Sequence, residues 1–169
     1  YDKKISGATL CIENGKVVSV TVPATGKENS SPAGYIRHDM AGRFIYPSFI
    51  DLFADYGMPE VTKPKWNEDP QMESNIKGAF GWNQAIRTDF HADRTFAVND
   101  KTAEEWRKAG FGAVLTHRKD GIARGTGALV SLASAKENYV ILKPDASTHY
   151  SFNKGSSTQD YPSSLMGSI

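Results

Sequence analysis

Phe44-Ile45-Tyr46-Pro47-Ser48-Phe49-Ile50-Asp51-Leu52-Phe53-Ala54 is the stretch that decides how the chain folds. Arg43 to Pro47 reads as extended backbone, and from Phe49 to Ala54 the sequence becomes an almost continuous apolar run. Such a run is the pattern of a strand buried on both faces of a parallel sheet, so a core strand is expected here. Asp51 interrupts it, and burying that carboxylate unpaired would be costly, so loop backbone or a basic neighbour is expected to bond it.

Working towards the N-terminus, two β-branched runs, Thr9 to Glu13 and Lys16 to Val22, flank Asn14-Gly15. Both turn residues tolerate the positive φ of a type I′ turn, so a hairpin is expected. Cys11 lies inside this alternation and reads as a small half-buried strand residue; being the one cysteine, it can form no internal disulfide and no multi-thiolate metal site. Pro23 to Gly34 is rich in Pro, Gly, Ser and Asn and reads as an exposed loop. Tyr35 to Asp39 alternates, Met40-Ala41-Gly42 turns, and with Arg43 to Pro47 this gives four short strands in one small antiparallel unit.

Working towards the C-terminus, residues 56 to 75 carry Pro59, Pro64 and Pro70 among many charges and read as a long loop, and a short helix is expected around residues 81 to 87. Thr102 with Glu105 three residues later has the form of a capping box, and Gly110 suits the position after a helix end, so a helix is expected over 103 to 109. Phe111 to Thr116 then reads as a buried strand following that helix, as in an α-to-parallel-strand unit. Gly127 to Leu132 and Tyr139 to Leu142 read as two more strands, and Pro162 with Leu165, Met166 and Ile169 as the opening of an amphipathic helix.

Composition narrows the function classes. With 39% hydrophobic residues and 15 glycines the chain has the make-up of a globular domain rather than a disordered one. Its 20 Lys and Arg against 19 Asp and Glu leave a net charge of +1, which offers no electrostatic footprint for nucleic acid or for anionic lipid. No apolar run reaches the roughly 18 residues of a membrane span. The first residues, Tyr1-Asp2-Lys3-Lys4, lack the apolar segment of a secretion signal. Length excludes one architecture: a closed eightfold (β/α) barrel takes about 250 residues and seldom fewer than about 200, more than the 169 present.

The order of these features resembles a known family. A hairpin containing Ile12-Glu13-Asn14-Gly15-Lys16-Val17-Val18-Ser19-Val20, a turn bearing Gly42, and then Phe44 to Asp51 resemble the start of amidohydrolase-superfamily enzymes of the imidazolonepropionase or dihydroorotase kind. There the chain passes from a small β-sandwich into barrel strand 1 through a Pro-Gly-Phe-Ile-Asp-x-His-x-His motif. Ser48 stands where that motif has glycine. Gly110 to His117 resembles the second barrel strand, and Gly121 to Leu132, Ser151-Phe152 and Ser163 to Ser168 are similar to large secreted bacterial members.

The resemblance implies an α/β fold, with a small antiparallel β-sandwich portion over 1–47 followed by an incomplete (β/α) barrel over 48–169. It also implies hydrolysis of non-peptide C–N bonds in a small-molecule amide or cyclic substrate by water activated on a divalent metal, typically zinc. Phe53 and Asp55 occupy the positions of the two histidines. Phenylalanine ligates no metal and one aspartate is too few, so no cofactor is expected in this chain. The expectation is an N-terminal segment of a longer amidohydrolase-like protein, inactive by itself, with a secreted or periplasmic place in bacteria implied by the similar members. A non-catalytic binding or assembly module is the alternative, since an incomplete sheet leaves edges and apolar faces that favour self-association.

Three residues stand out as candidate substrate contacts. Asp55 follows the first buried strand, where barrel enzymes place their chemistry, and reads either as a residual acid/base or ligand group or as a turn residue before Gly57. His117 ends the second buried strand, and Arg124 lies in the glycine-rich Arg124-Gly125-Thr126-Gly127. Together they read as a site for a substrate carboxylate, or as a polar strand end and its connection. The pattern around Arg124 fits neither a phosphate loop nor a dinucleotide glycine motif, because a strand follows. His38, His91 and His149 are widely separated and read as ordinary surface or strand residues; Trp106 reads as core, and Trp66 as a ligand-contact candidate in the polar loop.

Overall fold

The structure, a computed structural model, describes residues 4–22, 33–65, 69–72 and 83–169. Trp66, Trp82, most of the 23–34 loop and part of the 56–75 loop lie outside these residues. The chain forms two compact units, Tyr1–Tyr46 and Pro47–Ile169.

In the first unit β1 (Thr9–Glu13) and β2 (Lys16–Thr21) pair antiparallel. Asn14 and Gly15 both take positive φ, 50° and 73°, as the tight turn requires. A bulge between Cys11 and Ile12 shifts the register, and Cys11 is a free, half-buried thiol. The expected third and fourth strands do not form: residues 35–39 and 43–47 have no ladder partner among the described residues, and Ile36 and Tyr46 are exposed. An alternating pattern makes a strand only where a neighbour supplies the hydrogen bonds. Met40 to Arg43 does turn, with Arg43 N–H donating to Met40 O at 3.0 Å.

The second unit is a mixed four-stranded sheet in the order β3-β4-β5-β6, built from β3 (Phe49–Ala54), β4 (Phe111–Thr116), β5 (Ala123–Ser131) and β6 (Ile141–Tyr150). β3 and β4 are parallel, while β4–β5 and β5–β6 are antiparallel. The expected succession of parallel strands is therefore limited to one pair, and no closed barrel forms among the described residues. Tyr139 and Val140, expected in a strand, lie in the single turn α3 (Glu137–Val140) that leads into β6.

β3 departs from expectation in its burial. It is an edge strand, and Phe49, Ile50, Leu52 and Phe53 are each more than half exposed, while Ala54 is buried. Asp51 bonds locally, its Oδ1 accepting from Phe53 N–H at 2.8 Å. The core sits instead behind β4 and β5, where Val114, Ala128, Val130 and Leu132 pack with Phe96 and Ala103.

The helix preceding β4, α2 (Asp100–Lys108), starts earlier than the capping-box reading. Asn99 is the cap: its side-chain oxygen accepts from Thr102 N–H at 3.0 Å, so Thr102 sits inside the first turn. The helix packs through buried Ala103 and through Trp106, whose ring meets Phe111 edge-on at 5.3 Å. Arg107 reaches across to donate to the Leu132 carbonyl and to Ser134. A one-turn helix, α1 (Ala92–Thr95), precedes it.

Residues 83–87 are not helical. Asn83 Oδ1 accepts from Ala85 N–H at 3.0 Å, Gln84 N–H donates to Gln159 Oε1 at 2.7 Å, and Ile86 bridges Ala123. Those bonds hold the segment as turn and bridge against β5. Near the C-terminus the expected amphipathic helix is reduced to a 3-10 turn at Met166–Ser168.

Candidate functional site

The parallel pairing of β3 with β4 brings their C-terminal ends side by side, and the chemistry-bearing residues collect there. His117 N–H donates to Ala54 O at 3.0 Å, and the Thr116 hydroxyl donates to Tyr56 O at 2.7 Å, so the two strands leave the sheet together. Beyond β4 the connection is held by buried Asp120. Its carboxylate accepts from Arg118 at 2.8 Å and from the Ser156 N–H and hydroxyl, each at 2.7 Å.

Asp55 lies just past β3 with its carboxylate largely exposed, and Lys119 Nζ approaches it at 3.4 Å. The same ammonium lies 4.8 Å from the Phe53 ring centre. Asp55 also makes the turn expected before Gly57, its carbonyl accepting from Met58 N–H at 3.1 Å. A groove of about 370 Å³ beside it is lined by Tyr56, Met58, Val98, Asn99 and Trp106.

His117 is completely buried. Its ring contacts Phe53, 4.8 Å away and tilted, and His149 of β6, 3.6 Å away and parallel within 2°. Among the described residues neither ring nitrogen of His117 has a hydrogen-bond partner. Burial, together with the neighbouring His149, Arg124 and Lys119, pushes its pKa down to about 4, so it is neutral at pH 7. Burial and Arg124 lower the pKa of His149 as well.

Arg124, half-buried at the start of β5, donates from Nε to Gly121 O at 3.1 Å. Among the described residues nothing accepts from its terminal nitrogens, and desolvation lowers its pKa. A partly desolvated guanidinium with free donors is a ready partner for a carboxylate. Asp55, His117 and Arg124 are thus placed at one end of the sheet, with Lys119 beside Asp55 and the charges of Asp55, Lys119 and Arg124 all felt by His117.

His149 did not stand out in the sequence, yet it is the residue that completes this cluster. It stacks on His117 and its Nε2 lies 2.7 Å from Ser147 Oγ. The available signal was Ser147-x-His149, since residues two apart on a strand share a face. His91 is not an isolated surface histidine either. Its Nδ1 pairs with Asp145 at 2.9 Å, and Thr126 donates to the same carboxylate oxygen at 2.6 Å. His91, Asp93 and Asp145 place one potential ligand atom each within 4.8 Å of one another.

The resemblance implies a metal at the ends of β3 and β4, to be held by side chains at positions 53 and 55. Phe53 offers no donor and leans on His117, and Asp55 supplies a single carboxylate that Lys119 approaches at 3.4 Å, so the pair at the metal-motif positions is too few ligands for a divalent ion.

These elements define a mixed α/β protein with a small antiparallel sheet and a strand-end site. No family model and no curated protein matches the chain. Among solved structures it is similar to the crystal structure of an amidohydrolase from Thermotoga maritima MSB8, with a TM-score of 0.62 and 20% identity. The match covers 94% of this chain and 39% of that one, so the chain spans about two fifths of its length. The likeness shows an amidohydrolase-like fold.

Proposed function

We infer that the chain supplies the leading strands of an incomplete (β/α) barrel in an amidohydrolase-like protein, and that its strand-end site holds a small amide or cyclic substrate by an anionic group. The observation that carries this reading is Arg124, half-buried with unused terminal donors, beside neutral His117 and the Asp55–Lys119 pair. Arg124 takes the substrate carboxylate by paired N–H···O bonds, Lys119 adds a second cation, and Asp55 keeps that ammonium turned towards the β3 end. In this reading Phe53 and Asp55 stand where the resemblance places two metal-binding histidines, and the chain by itself carries out no metal-dependent C–N hydrolysis.

The test is an NMR titration of the purified chain with N-acetylglycine and, as a control without the anion, acetamide. The imidazole protons of His117 and His149 shift with the first and not the second, and the shift is lost in Arg124→Gln. Equal response to both compounds, or a response that survives Arg124→Gln, overturns the reading. Metal analysis after dialysis against zinc checks the other half: a stoichiometric ion that disappears in Asp55→Asn contradicts it.

A second reading, a non-catalytic assembly module, is favoured by one observation. The strand β3, at the edge of the sheet among the described residues, leaves Phe49, Ile50, Leu52 and Phe53 exposed as an apolar surface. Light scattering that gives a concentration-independent monomer counts against it.

A further inference from the structure

We propose that Ser147 and His149 form a nucleophile–base pair, and that this pair reacts with small acyl compounds carrying a good leaving group, without a metal. The inference does not rest on the amidohydrolase-like reading; it comes from the geometry of β6 and what lies around it.

Ser147 and His149 are two apart on β6 and so project from the same face, and Ser147 Oγ lies 2.7 Å from His149 Nε2. That separation is within the range for a base to take the hydroxyl proton. Both residues are half-buried, so the hydroxyl is sheltered and still reachable. A nucleophilic serine also needs its base held in place by a third group. Here the holding is done by stacking: His149 lies flat against His117, and His117 is fully buried and in contact with Phe53. Burial and Arg124 favour the neutral form of His149, and with its proton on Nδ1 that form offers the Nε2 lone pair to the Ser147 hydroxyl. Arg124 brings positive charge with unused donors to the same end of β5, where an oxyanion can be stabilised.

Gly127 makes the arrangement sterically possible. It is the cross-strand partner of Ser147, and a Cβ at Gly127 would lie 2.7 Å from both Ser147 Oγ and His149 Nε2. Any side chain there would push the two groups away. Among the described residues neither ring nitrogen of buried His117 has a hydrogen-bond partner, and the ring offers the flat surface against which His149 rests.

The chemistry balances without a co-reactant other than water. Ser147 Oγ bonds to the acyl carbon as its proton passes to His149 Nε2. The bond to the leaving group breaks, and that group departs with the proton from Nε2. Water then adds to the acyl-serine and gives a proton to Nε2. The carboxylic acid leaves as Ser147 Oγ takes the proton back.

The test uses a fluorophosphonate, which bonds to Ser147 Oγ with loss of fluoride and of the hydroxyl proton. Intact-mass measurement of the full chain is expected to show a single adduct, mapped by peptide sequencing to Ser147. Ser147→Ala abolishes it, and His149→Gln slows labelling by about 10²-fold or more, the usual weight of a general base. His117 is a positioning residue: His117→Phe, which keeps a flat ring under His149, retains the labelling rate, whereas His117→Ala lowers it. Circular dichroism on each variant confirms that the fold is kept. No adduct under conditions that fully label a control serine esterase, an adduct at another residue, or labelling that survives Ser147→Ala overturns the proposal. The N-acetylglycine titration is decided by its loss in Arg124→Gln and needs no Ser147 adduct, so the two readings fail separately.

Discussion

Lowering the pH should weaken the fold through His117, and the size of the effect follows from its surroundings. In the unfolded chain an imidazole takes up its proton near 6.5, whereas buried His117 does so only at about 4. Between those values the unfolded state binds the proton and the folded state does not, so stability falls as pH drops through that window and levels off below it. A shift of this size is worth at most about 3.5 kcal/mol at about 1.4 kcal/mol per pKa unit, and full burial of the ring argues against heavy solvent screening. His117→Phe removes the proton site while keeping an aromatic ring in contact with Phe53 and His149. Urea unfolding of both proteins, followed by tryptophan fluorescence near neutral pH and near about pH 4.5, gives the comparison. The wild type should lose about 2–3 kcal/mol more than the variant over that span. The variant's remaining dependence runs in the same direction, because His149 is lowered too. Parallel stability curves for the two proteins, or an NMR titration placing His117 near its ordinary value, would refute the reasoning.

Three further outcomes are expected. Gly125→Ala should destabilise by more than about 2 kcal/mol, read as a lower urea midpoint, because Gly125 sits at φ 77° and a Cβ there presses on the Phe90 and Arg87 carbonyls. Asn99→Ala should cost about 1 kcal/mol by removing the bond to Thr102 N–H, and Asn99→Asp should restore most of it. Gln159→Leu should cost about 2–3 kcal/mol, since buried Gln159 accepts from Gln84 N–H at 2.7 Å and donates to Gln71 O at 2.8 Å. Faster hydrogen exchange at the Gln84 amide reads the same loss.

Local chemistry was legible in the sequence where one segment decides its own structure. Asn14-Gly15 turns because those two residues accept positive φ, and Phe49 to Ala54 and Phe111 to Thr116 are strands because their apolar side chains suit little else. Asp55 and His117 were placed at strand ends simply by following those strands. What the sequence did not disclose depends on partners distant along the chain. An apolar run such as Gly127 to Leu132 carries no mark of direction, so the antiparallel order of β5 and β6 could not be read from it. Nor does such a run say whether it lies inside a sheet or at its border, which is why β3 was expected to be covered on both faces. Thr102 and Glu105 satisfied a capping pattern, yet Asn99 was better placed to accept from Thr102 N–H. His149 became part of the site only through the register that sets β6 beside β5 and its ring against that of His117.

The Asp55–Lys119 contact joins residues 64 apart, and the Thr116–Tyr56 bond joins residues 60 apart. β5 and β6, in contrast, are neighbours in the chain linked by a short connection. Loop closure costs more entropy for the longer span, and distant pairings form slowly. Refolding should therefore zip β5 against β6 first, seating Ser147 and His149 over Gly127 early, and dock β3 last. The strand-end cations meet their carboxylate only in that final step, so the kinetics of the Asp55–Lys119 pair mark completion of the fold.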